Sequence, residues 1–428
     1  MNVFKHPNHP VTRSNRSGPA TSNAIAAALT VLLSLAATGT AFGAPGVTAD
    51  AIRVGGVMDL KGDSRGLGLG MKAGIEAAFR GKRVHGRKLE FIGLNDNYSP
   101  AKTIEATNKL IEQNVFVMLG NVGTPTAKVS LPLLAENKVP AVGFFTGAGI
   151  LRPGVGDIIN FRASYVQETA SVIRAALNAG IDPTGICAYV QNDAYGMAGI
   201  TGIKLALASQ PGMDEIVSIL DEMIQMSGPN PPRNNMGPVG VYQRNTLYAR
   251  DGFESLKNWE QLTGARCQLI VSVGAYANIA RFTAYSRNKG ANWIVSAVSF
   301  TGADNFRSEL KDFGVNDGVV MTQVVPPLES NLPIVEEARE ALGSDFGYVS
   351  LEGYIVGRLF IAALEQVPGP ITRQNFVNVV RGNVFEISGL MLDFTLDNQG
   401  SDLVALTYLD QDGYRNMVRD DWKRVLPN

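Results

Sequence analysis

The fold is most tightly constrained by a strand–loop–helix–strand stretch at residues 115–148 (VFVMLGNVGTPTAKVSLPLLAENKVPAVGFFTGA). Residues 115–119 and 141–144 are short apolar runs, which predict buried strands. Between them, residues 128–136 carry apolar side chains at helical spacing. A helix between two such strands predicts a βαβ unit, in which the strands run parallel inside an α/β sheet.

Both predicted strands end in loops rich in Gly and Thr, at 120–126 (GNVGTPT) and 146–148 (TGA). Parallel sheets bind ligands beyond the carboxyl ends of their strands, where loops enter helices. The free N–H groups at a helix start, together with threonine hydroxyls, suit a polar or anionic ligand group. We therefore predict that this stretch forms one wall of a binding site.

The same alternation of strand and helix recurs on both sides of this stretch and divides the chain into two series. The predicted strands lie at 52–58, 88–94, 185–191, 215–221, 268–273, 293–298 and 319–323, and the chain ends with helices within 331–382 and strands at 390–396, 403–408 and 415–419. A Pro- and Asn-rich insert at 227–238 interrupts the second series as a long surface loop. The expected architecture is therefore two similar α/β lobes with a cleft between them.

Three aromatic residues occupy strand-to-helix loops of the second series: Tyr195, Tyr276 and Phe300. These loops are expected to face the threonine-rich loops of the first series, because both sets lie at the carboxyl ends of parallel strands. The three side chains are therefore predicted to form the second wall of the cleft.

The first 44 residues are predicted to be a secretory signal peptide rather than part of the fold. Basic residues precede an apolar run at 24–37, and small residues follow it. The run is shorter than the roughly 20 residues that a membrane-spanning helix needs. Export predicts a periplasmic protein that is soluble after cleavage. In that compartment Cys187 and Cys267 can form a disulfide or stay as two buried thiols, and the sequence leaves both open.

Composition disfavours catalysis and nucleic-acid binding. The formal net charge is −1, which argues against nucleic acid as a main partner. Of three histidines, two fall in the predicted signal peptide and the third, His85, lies on a predicted surface turn. A Ser–His–Asp or Cys–His site needs a positioned base, and an imidazole-rich zinc site needs several histidines. We therefore predict no catalytic residue, no metal and no cofactor.

Two further patterns have structural interpretations. The glycines of 66–74 (GLGLGMKAG) are spaced G-x-G-x-x-x-G rather than G-x-G-x-x-G, so they favour close helix packing over dinucleotide binding. Asp59, Asp63, Asp96 and Asp193 follow predicted strands. Paired carboxylates can perform acid–base chemistry, but carboxylates at strand ends more often cap helices and hold loops.

An ordered set of motifs gives the chain a family resemblance: IRVGGVMDLKGD, NDNYSP, GNVGTPT, VPAVGFF, FRASYVQETA, QNDAYGMAG and VGAYANIARF. The set resembles the periplasmic solute-binding proteins of branched-chain amino acid ABC importers. The resemblance implies two Rossmann-like lobes, at 48–162 plus 325–390 and at 163–324 plus 391–428, joined by three crossovers near 162–165, 323–326 and 391–395. It also implies ligand capture by hinge closure and docking on a membrane permease, and we expect a monomer.

The resemblance also assigns candidate ligand contacts. The carboxylate-binding hydroxyl of the family's amino-acid binders matches Thr124 or Thr126, and the next loop contributes Thr146 and Ala148. Tyr195 and Tyr276 match the aromatic contacts of the second lobe. Ser299, followed by Phe300, stands where the family has a glutamate for the ligand ammonium. Leu67 stands near a family tyrosine.

These departures predict a ligand more apolar than a free amino acid. A buried ammonium without its carboxylate partner is costly, and Phe144 and Phe145 add apolar surface beside the threonine loops. Aromatic acids, short acyl acids and lipid- or sterol-like molecules are the candidates. The alternatives are a true branched-chain amino acid or amide binder, a periplasmic ligand sensor on the same fold, and an enzyme built on the same sheets.

Overall fold

The computed structural model describes residues 44–425, so the predicted signal peptide lies outside the described residues apart from Ala44. Within 44–425, none of the helices is long and apolar enough to cross a membrane. The described chain forms two parallel-dominated sheets, each with its own helices, together with one small hairpin. This is the predicted two-lobed α/β architecture.

The first lobe is built on a sheet with strand order β2-β3-β1-β4-β5-β6, in which all neighbours except β2 and β3 run parallel. Its strands are β1 (Ala51–Met58), β2 (Arg83–Val84), β3 (Arg87–Asn95), β4 (Met118–Leu119), β5 (Ala141–Val142) and β6 (Ile158–Ile159). Its first helices are α1 (Arg65–Phe79), α2 (Pro100–Glu112) and α3 (Thr124–Glu136). Proline in the first turn suits α2 and α3, since the missing N–H would have no helical partner there.

The second lobe repeats this plan. Its helices are α4 (Tyr165–Asn178), α5 (Ala194–Leu207), α6 (Asp214–Gln225), α7 (Arg250–Thr263), α8 (Tyr276–Asn288) and α9 (Ala303–Asp312). Its parallel strands are β7 (Ile186–Gln191), β8 (Val239–Tyr242), β9 (Leu269–Val273), β10 (Ile294–Ala297) and β11 (Val319–Gln323). A capping box at Ser164, in which Gln167 bonds back to the cap, starts α4 directly after the first crossover.

The chain then returns to the first lobe and finally to the second. The returning segment forms α10 (Pro333–Leu342), α11 (Tyr348–Glu365), α12 (Arg373–Val380) and the hairpin β12 (Val384–Ile387) and β13 (Leu390–Asp393). The last elements are β14 (Ala405–Asp410), β15 (Gly413–Asn416) and α13 (Trp422–Val425). The two strands extend the second sheet, with β14 antiparallel to β11 and β15 antiparallel to β14. Helix α11 packs on α1, where a Cβ on Gly74 would lie 2.1 Å from the Ser350 carbonyl oxygen. Gly70 and Gly74 of α1 therefore serve helix packing, as predicted.

Three crossovers join the lobes, at 160–164, 324–332 and 394–404. The first and third run side by side, because the Asn160 N–H donates to the Asn398 carbonyl (2.7 Å) and the Gly400 N–H donates to the Asn160 carbonyl (2.9 Å). Strand β13 pairs with β12 as far as Asp393. The third crossover therefore begins after this hairpin.

One element prediction in the second lobe was wrong. Residues 215–221, predicted as a strand, belong to helix α6. This helix buries Ile216, Leu220 and Met223 at helical spacing, and its other residues are exposed or half-buried. The strand of this βα unit is β8, which follows the Pro/Asn-rich insert and pairs with β7 at the sheet edge. Periodicity over seven residues did not separate a short helix from a strand.

The cysteines and the lone described histidine also have clear positions. Cys187 in β7 and Cys267, just before β9, form a disulfide, and their strands are neighbours in the sheet. This resolves the alternative that the sequence left open. His85 lies on an exposed turn, with Nε2 3.0 Å from the Leu364 carbonyl oxygen. The predicted surface position of His85 is thus confirmed.

Candidate functional site

The carboxyl ends of the two parallel sheets face each other, and hydrogen bonds cross from one lobe to the other. Two of these bonds end on tyrosine hydroxyls: the Gly66 N–H donates to Tyr276 (3.3 Å) and the Gln191 side-chain amide donates to Tyr98 (3.2 Å). In two others, the Asn245 side-chain amide donates to the Asn97 carbonyl (3.2 Å) and the Tyr348 N–H donates to the Asp304 carboxylate (3.1 Å). The lobes are therefore in direct contact, as in the closed state of a hinged pair.

An aromatic cluster fills the centre of this contact, and we define it as Tyr98, Phe145, Tyr165, Tyr195 and Phe300. The Phe300 ring lies 4.6 Å from Tyr195, 5.2 Å from Phe145 and 6.2 Å from Tyr98, measured between centroids. Tyr165 lies 5.2 Å from Tyr195. All five side chains are fully buried. Because both lobes contribute rings, opening the cleft would separate them and expose apolar faces.

A pair of threonines lies at the first-lobe edge of the cluster. The Thr124 and Thr146 hydroxyl oxygens are 2.6 Å apart, and both residues are fully buried. Thr124 is the first residue of α3, after Gly123 at φ 110°, a conformation that favours glycine. A Cβ on Gly123 would also meet the Tyr98 ring at 2.4 Å. The local backbone therefore sets both hydroxyls beside the cluster and at a helix N-terminus.

The other first-lobe candidates have different surroundings. The Thr126 hydroxyl donates to the carbonyls of Val122 (2.6 Å) and Gly123 (2.9 Å), so its side chain holds the start of α3. The Ala148 carbonyl accepts from Arg152 (3.0 Å). Phe144 is buried, but the ring that meets Phe300 belongs to its neighbour Phe145.

Leu67 and Tyr276 meet at the edge of the cleft rather than at the cluster. A Cβ on Gly302 would lie 2.4 Å from Leu67 and 3.8 Å from Tyr276, so Leu67 of the first lobe packs over Gly302 of the second. The Tyr276 hydroxyl accepts the Gly66 N–H. These two predicted residues thus belong to the contact between the lobes.

A buried charge cluster lies next to the aromatic rings, and we define it as Arg162, Glu168 and Glu352. The guanidinium of Arg162 lies 3.8 Å from a Glu168 oxygen, 3.6 Å from a Glu352 oxygen and 4.6 Å from the Phe145 ring centroid. Arg162 also donates to the Ser299 hydroxyl, and the Ser299 N–H donates to Glu168 (2.7 Å). Burial raises the pKa of Glu352 to about 7, although Arg162 opposes the shift.

Asp59, Asp96 and Asp193 hold loops, in line with the structural interpretation of their positions. Asp193 caps α5 by accepting the Tyr195 N–H (3.0 Å) and pairs with Arg244 (2.9 Å). Asp96 accepts from the Tyr98 N–H (2.9 Å), and burial raises its pKa to about 6. Among residues 44–425 no group of three or more His, Cys, Asp or Glu could hold a metal ion.

Sequence reasoning missed several residues of this region, among them Tyr98, Arg162, Tyr165 and Gln191. Tyr98 lies in NDNYSP, the loop that follows the predicted strand 88–94, which was an available indication. Arg162 was recognised as a crossover position, and a charge inside an otherwise apolar crossover was the indication of its role. Burial raises the pKa of Tyr98 and Tyr195 well above their usual value, so both phenols stay neutral hydrogen-bonding groups.

Comparison with known proteins gives a consistent result. The family model described as Periplasmic binding protein matches residues 51–219. A solved structure of a possible leucine/isoleucine/valine-binding protein from Rhodopirellula baltica SH 1 is 33% identical, with a TM-score of 0.77, and the match covers 87% of this chain and 98% of that one. No curated protein matches the chain.

Two more distant solved structures share the fold. One is a fatty acid ABC transporter substrate-binding protein from Thermomonospora curvata, with 16% identity and a TM-score of 0.69 over 88% of this chain and 94% of that one. The other is a solute-binding protein of an ABC transporter from R. palustris in complex with 4-hydroxybenzoate, with 18% identity and a TM-score of 0.67 over 86% and 96%. With two lobes, three crossovers and a matched relative at 33% identity, the chain belongs to the leucine/isoleucine/valine-binding protein family of type I periplasmic binding proteins.

Proposed function

We propose that this protein captures a small carboxylate with an apolar body, most simply an aromatic acid, between its lobes and delivers it to an ABC-type permease. The observation that carries the proposal is the aromatic cluster, to which both lobes contribute, beside the Thr124–Thr146 pair. Short acyl acids and lipid- or sterol-like molecules remain in the same class of candidates. The role is binding and transfer, with no chemical step.

The polar end of the ligand is assigned to the start of α3. Unpaired N–H groups and the helix dipole favour an anion at a helix N-terminus. The paired hydroxyls of Thr124 and Thr146 add two donors that can turn from each other to a carboxylate. Thr126 contributes through its backbone N–H, because its hydroxyl is engaged with local carbonyls.

The apolar end is assigned to the aromatic cluster. Phe300 meets two rings of the first lobe and one of the second at about the separations that aromatic pairs prefer. A flat ligand entering the opened cleft would replace ring–ring contacts by ring–ligand contacts as the lobes close. Each such contact contributes about 0.5–1.5 kcal/mol beyond the buried area.

The charges around the cluster support a ligand without an ammonium group. Glu168 and Glu352 face Arg162, and Asp193 faces Arg244. An ammonium would have to compete with a guanidinium for each of these carboxylates, and burying it unpaired would be costly. Ser299, at the family's glutamate position, bonds to Arg162 and Glu168 instead.

A branched-chain amino acid is the second candidate, and the relative at 33% identity favours it. The fatty acid and 4-hydroxybenzoate relatives support an apolar acid on the same fold. A sensor would use the same cleft, and neighbouring genes for a permease and an ATPase would support import over sensing.

Isothermal titration calorimetry of the mature protein tests the proposal. We expect binding of benzoate, 4-hydroxybenzoate or octanoate, with affinity for leucine and valine at least about tenfold weaker. Tight binding of leucine or valine, with no heat from the apolar acids, would favour the second candidate. Chromatography of each ligand after incubation checks that it is returned unchanged.

A further inference from the structure

The Pro/Asn-rich insert at 227–238 holds a buried arginine that reaches the loop behind Tyr195. Arg233 is 3% exposed. Its Nε donates to the Met223 carbonyl (2.7 Å) and its Nη2 to the Met226 carbonyl (2.6 Å). Its Nη1 donates to the Asn192 side-chain oxygen (2.7 Å). One guanidinium thus connects the insert, the end of α6 and the loop after β7.

The end of α6 is a suitable anchor for this cation. The last carbonyls of a helix lack partners within the helix, and the dipole places partial negative charge there. Helix α6 ends at Gln225, so Met223 and Met226 supply such carbonyls. Charge-assisted bonds of this kind are short and localise the guanidinium. With two donors fixed by α6, the third holds Asn192 in place.

Asn192 is connected to the aromatic cluster through its neighbour Asp193. Its N–H donates to the Tyr242 carbonyl (2.7 Å), and the next residue, Asp193, caps α5 at the Tyr195 N–H. The Tyr195 ring then lies 4.6 Å from Phe300. A continuous series of bonds therefore runs from the buried arginine of the insert to the ring contact at the centre of the cleft.

The insert itself is fastened to the second lobe. The Asn234 side chain accepts from the Val241 N–H (2.7 Å) and donates to the Val241 carbonyl (3.2 Å), which completes the outer edge of β8. The Asn235 N–H donates to the Ser255 hydroxyl on α7 (2.8 Å). The insert is thus tied to the sheet edge and to a helix.

We propose that Arg233 is a positioning residue that braces the 192–195 loop, so that Tyr195 is held ready for the ligand before the lobes close. The part of this inference that concerns ligand affinity rests on the proposed function. The bracing itself does not, because it concerns the second lobe alone.

Arg233→Met removes all three donors at similar side-chain length. The matched control is Arg373→Met, because Arg373 also donates to backbone carbonyls, at Val115 (2.7 Å) and Phe116 (2.9 Å), but these lie before β4 in the other lobe. Amide hydrogen exchange of the full mature chain without ligand is the first readout. We expect Arg233→Met to accelerate exchange at residues 192–197 by about tenfold or more, from the loss of a charge-assisted bond, and Arg373→Met to leave these amides unchanged.

Affinity for 4-hydroxybenzoate is the second readout. Arg233→Met should weaken it by about tenfold, with partial recovery in Arg233→Lys, which keeps the charge but not the three-way geometry. Equal exchange at 192–197 in the two Met variants would overturn the brace, and so would unchanged affinity in Arg233→Met. If the wild-type chain does not bind 4-hydroxybenzoate, the ligand proposal fails on this probe while exchange still decides the brace. If Arg233→Met does not fold, amide exchange at 192–197 is compared between Arg233→Lys and Arg373→Lys instead, and equal exchange in these two variants would overturn the brace.

Discussion

Replacing the paired threonines by valine, singly and together, tests whether they form the polar end of the site. The two hydroxyl oxygens lie 2.6 Å apart and both residues are 0% exposed, so one hydroxyl donates to the other in a buried hydrogen bond. Removing one hydroxyl leaves the other buried without its hydrogen-bond partner, which lowers the free energy of unfolding by about 1–3 kcal/mol. Thr146 still accepts weakly from the Ala148 N–H (3.4 Å), so we expect Thr124→Val to fall in the lower half of that range.

The double variant Thr124→Val/Thr146→Val should lose less free energy of unfolding than the two single variants lose together. Replacing both partners by apolar groups of the same shape can be nearly neutral, so the cycle should show a coupling of about 1 kcal/mol or more. Urea unfolding measures it, through shifts in the midpoint at constant slope. Additive costs in the single and double variants would mean that the hydroxyls do not act as a pair.

The same three variants separate stability from binding. Affinity for an apolar acid should fall in each, by about tenfold for a lost hydrogen bond to a carboxylate. Thr126→Val is the matched control, because its hydroxyl bonds only to carbonyls of its own loop and its N–H is kept. Unchanged affinity in the double variant would move the polar end of the site away from α3.

Three further predictions concern the disulfide, the charge cluster and the rings. Cys187 and Cys267 are 80 residues apart, so replacing both by alanine should lower the free energy of unfolding by about 4.5 kcal/mol in the loop-entropy treatment, measured by urea unfolding under oxidising conditions. The pKa of Glu352 is raised from 4.5 to about 7 by burial, so the folded state binds more protons than the unfolded state between these values. Stability should therefore fall by up to about 3 kcal/mol as the pH rises from 4.5 to 7 and then level off, and Glu352→Gln should flatten this dependence. Phe300→Ala should weaken binding of an aromatic acid by about tenfold or more in calorimetry, while Phe306→Ala, another fully buried ring, should lower stability and leave affinity unchanged.

Each of the three predictions, on the disulfide, on Glu352 and on the phenylalanines, has a result that would contradict it. A loss of stability below about 1 kcal/mol would show that the disulfide constrains the unfolded chain far less than its loop length indicates. A pH dependence that persists in Glu352→Gln would place the titration on another group. Equal affinities in the two phenylalanine variants would separate the ligand from the aromatic cluster.

The positions that can be predicted from the sequence are those fixed by the direction of parallel strands. Thr124, Thr146, Tyr195 and Phe300 each follow a predicted strand, and the carboxyl ends of both sheets converge on one cleft. Strand order was not needed for this step. The alternation of strand and helix was enough to predict which loops would meet.

What the sequence left undetermined depends on contacts between distant segments. Arg162 and Glu352 are 190 residues apart, and only the packing of α11 against the first crossover brings them within 3.6 Å. The choice between Phe144 and Phe145 as the ring at Phe300 depends on how the chain turns after the two-residue strand β5. The insert could be predicted as irregular, but its buried arginine could not, because a lone charge in a Pro/Asn-rich segment normally predicts a solvated side chain.

The central claim is that the cleft selects a carboxylate with an apolar body and no ammonium group. Mass spectrometry of small molecules released from the denatured protein, after purification from cells of its native host, tests this most directly. We predict enrichment of a monocarboxylic acid that lacks a primary amine and carries an aromatic or acyl body. Stoichiometric recovery of leucine, isoleucine or valine would contradict the claim.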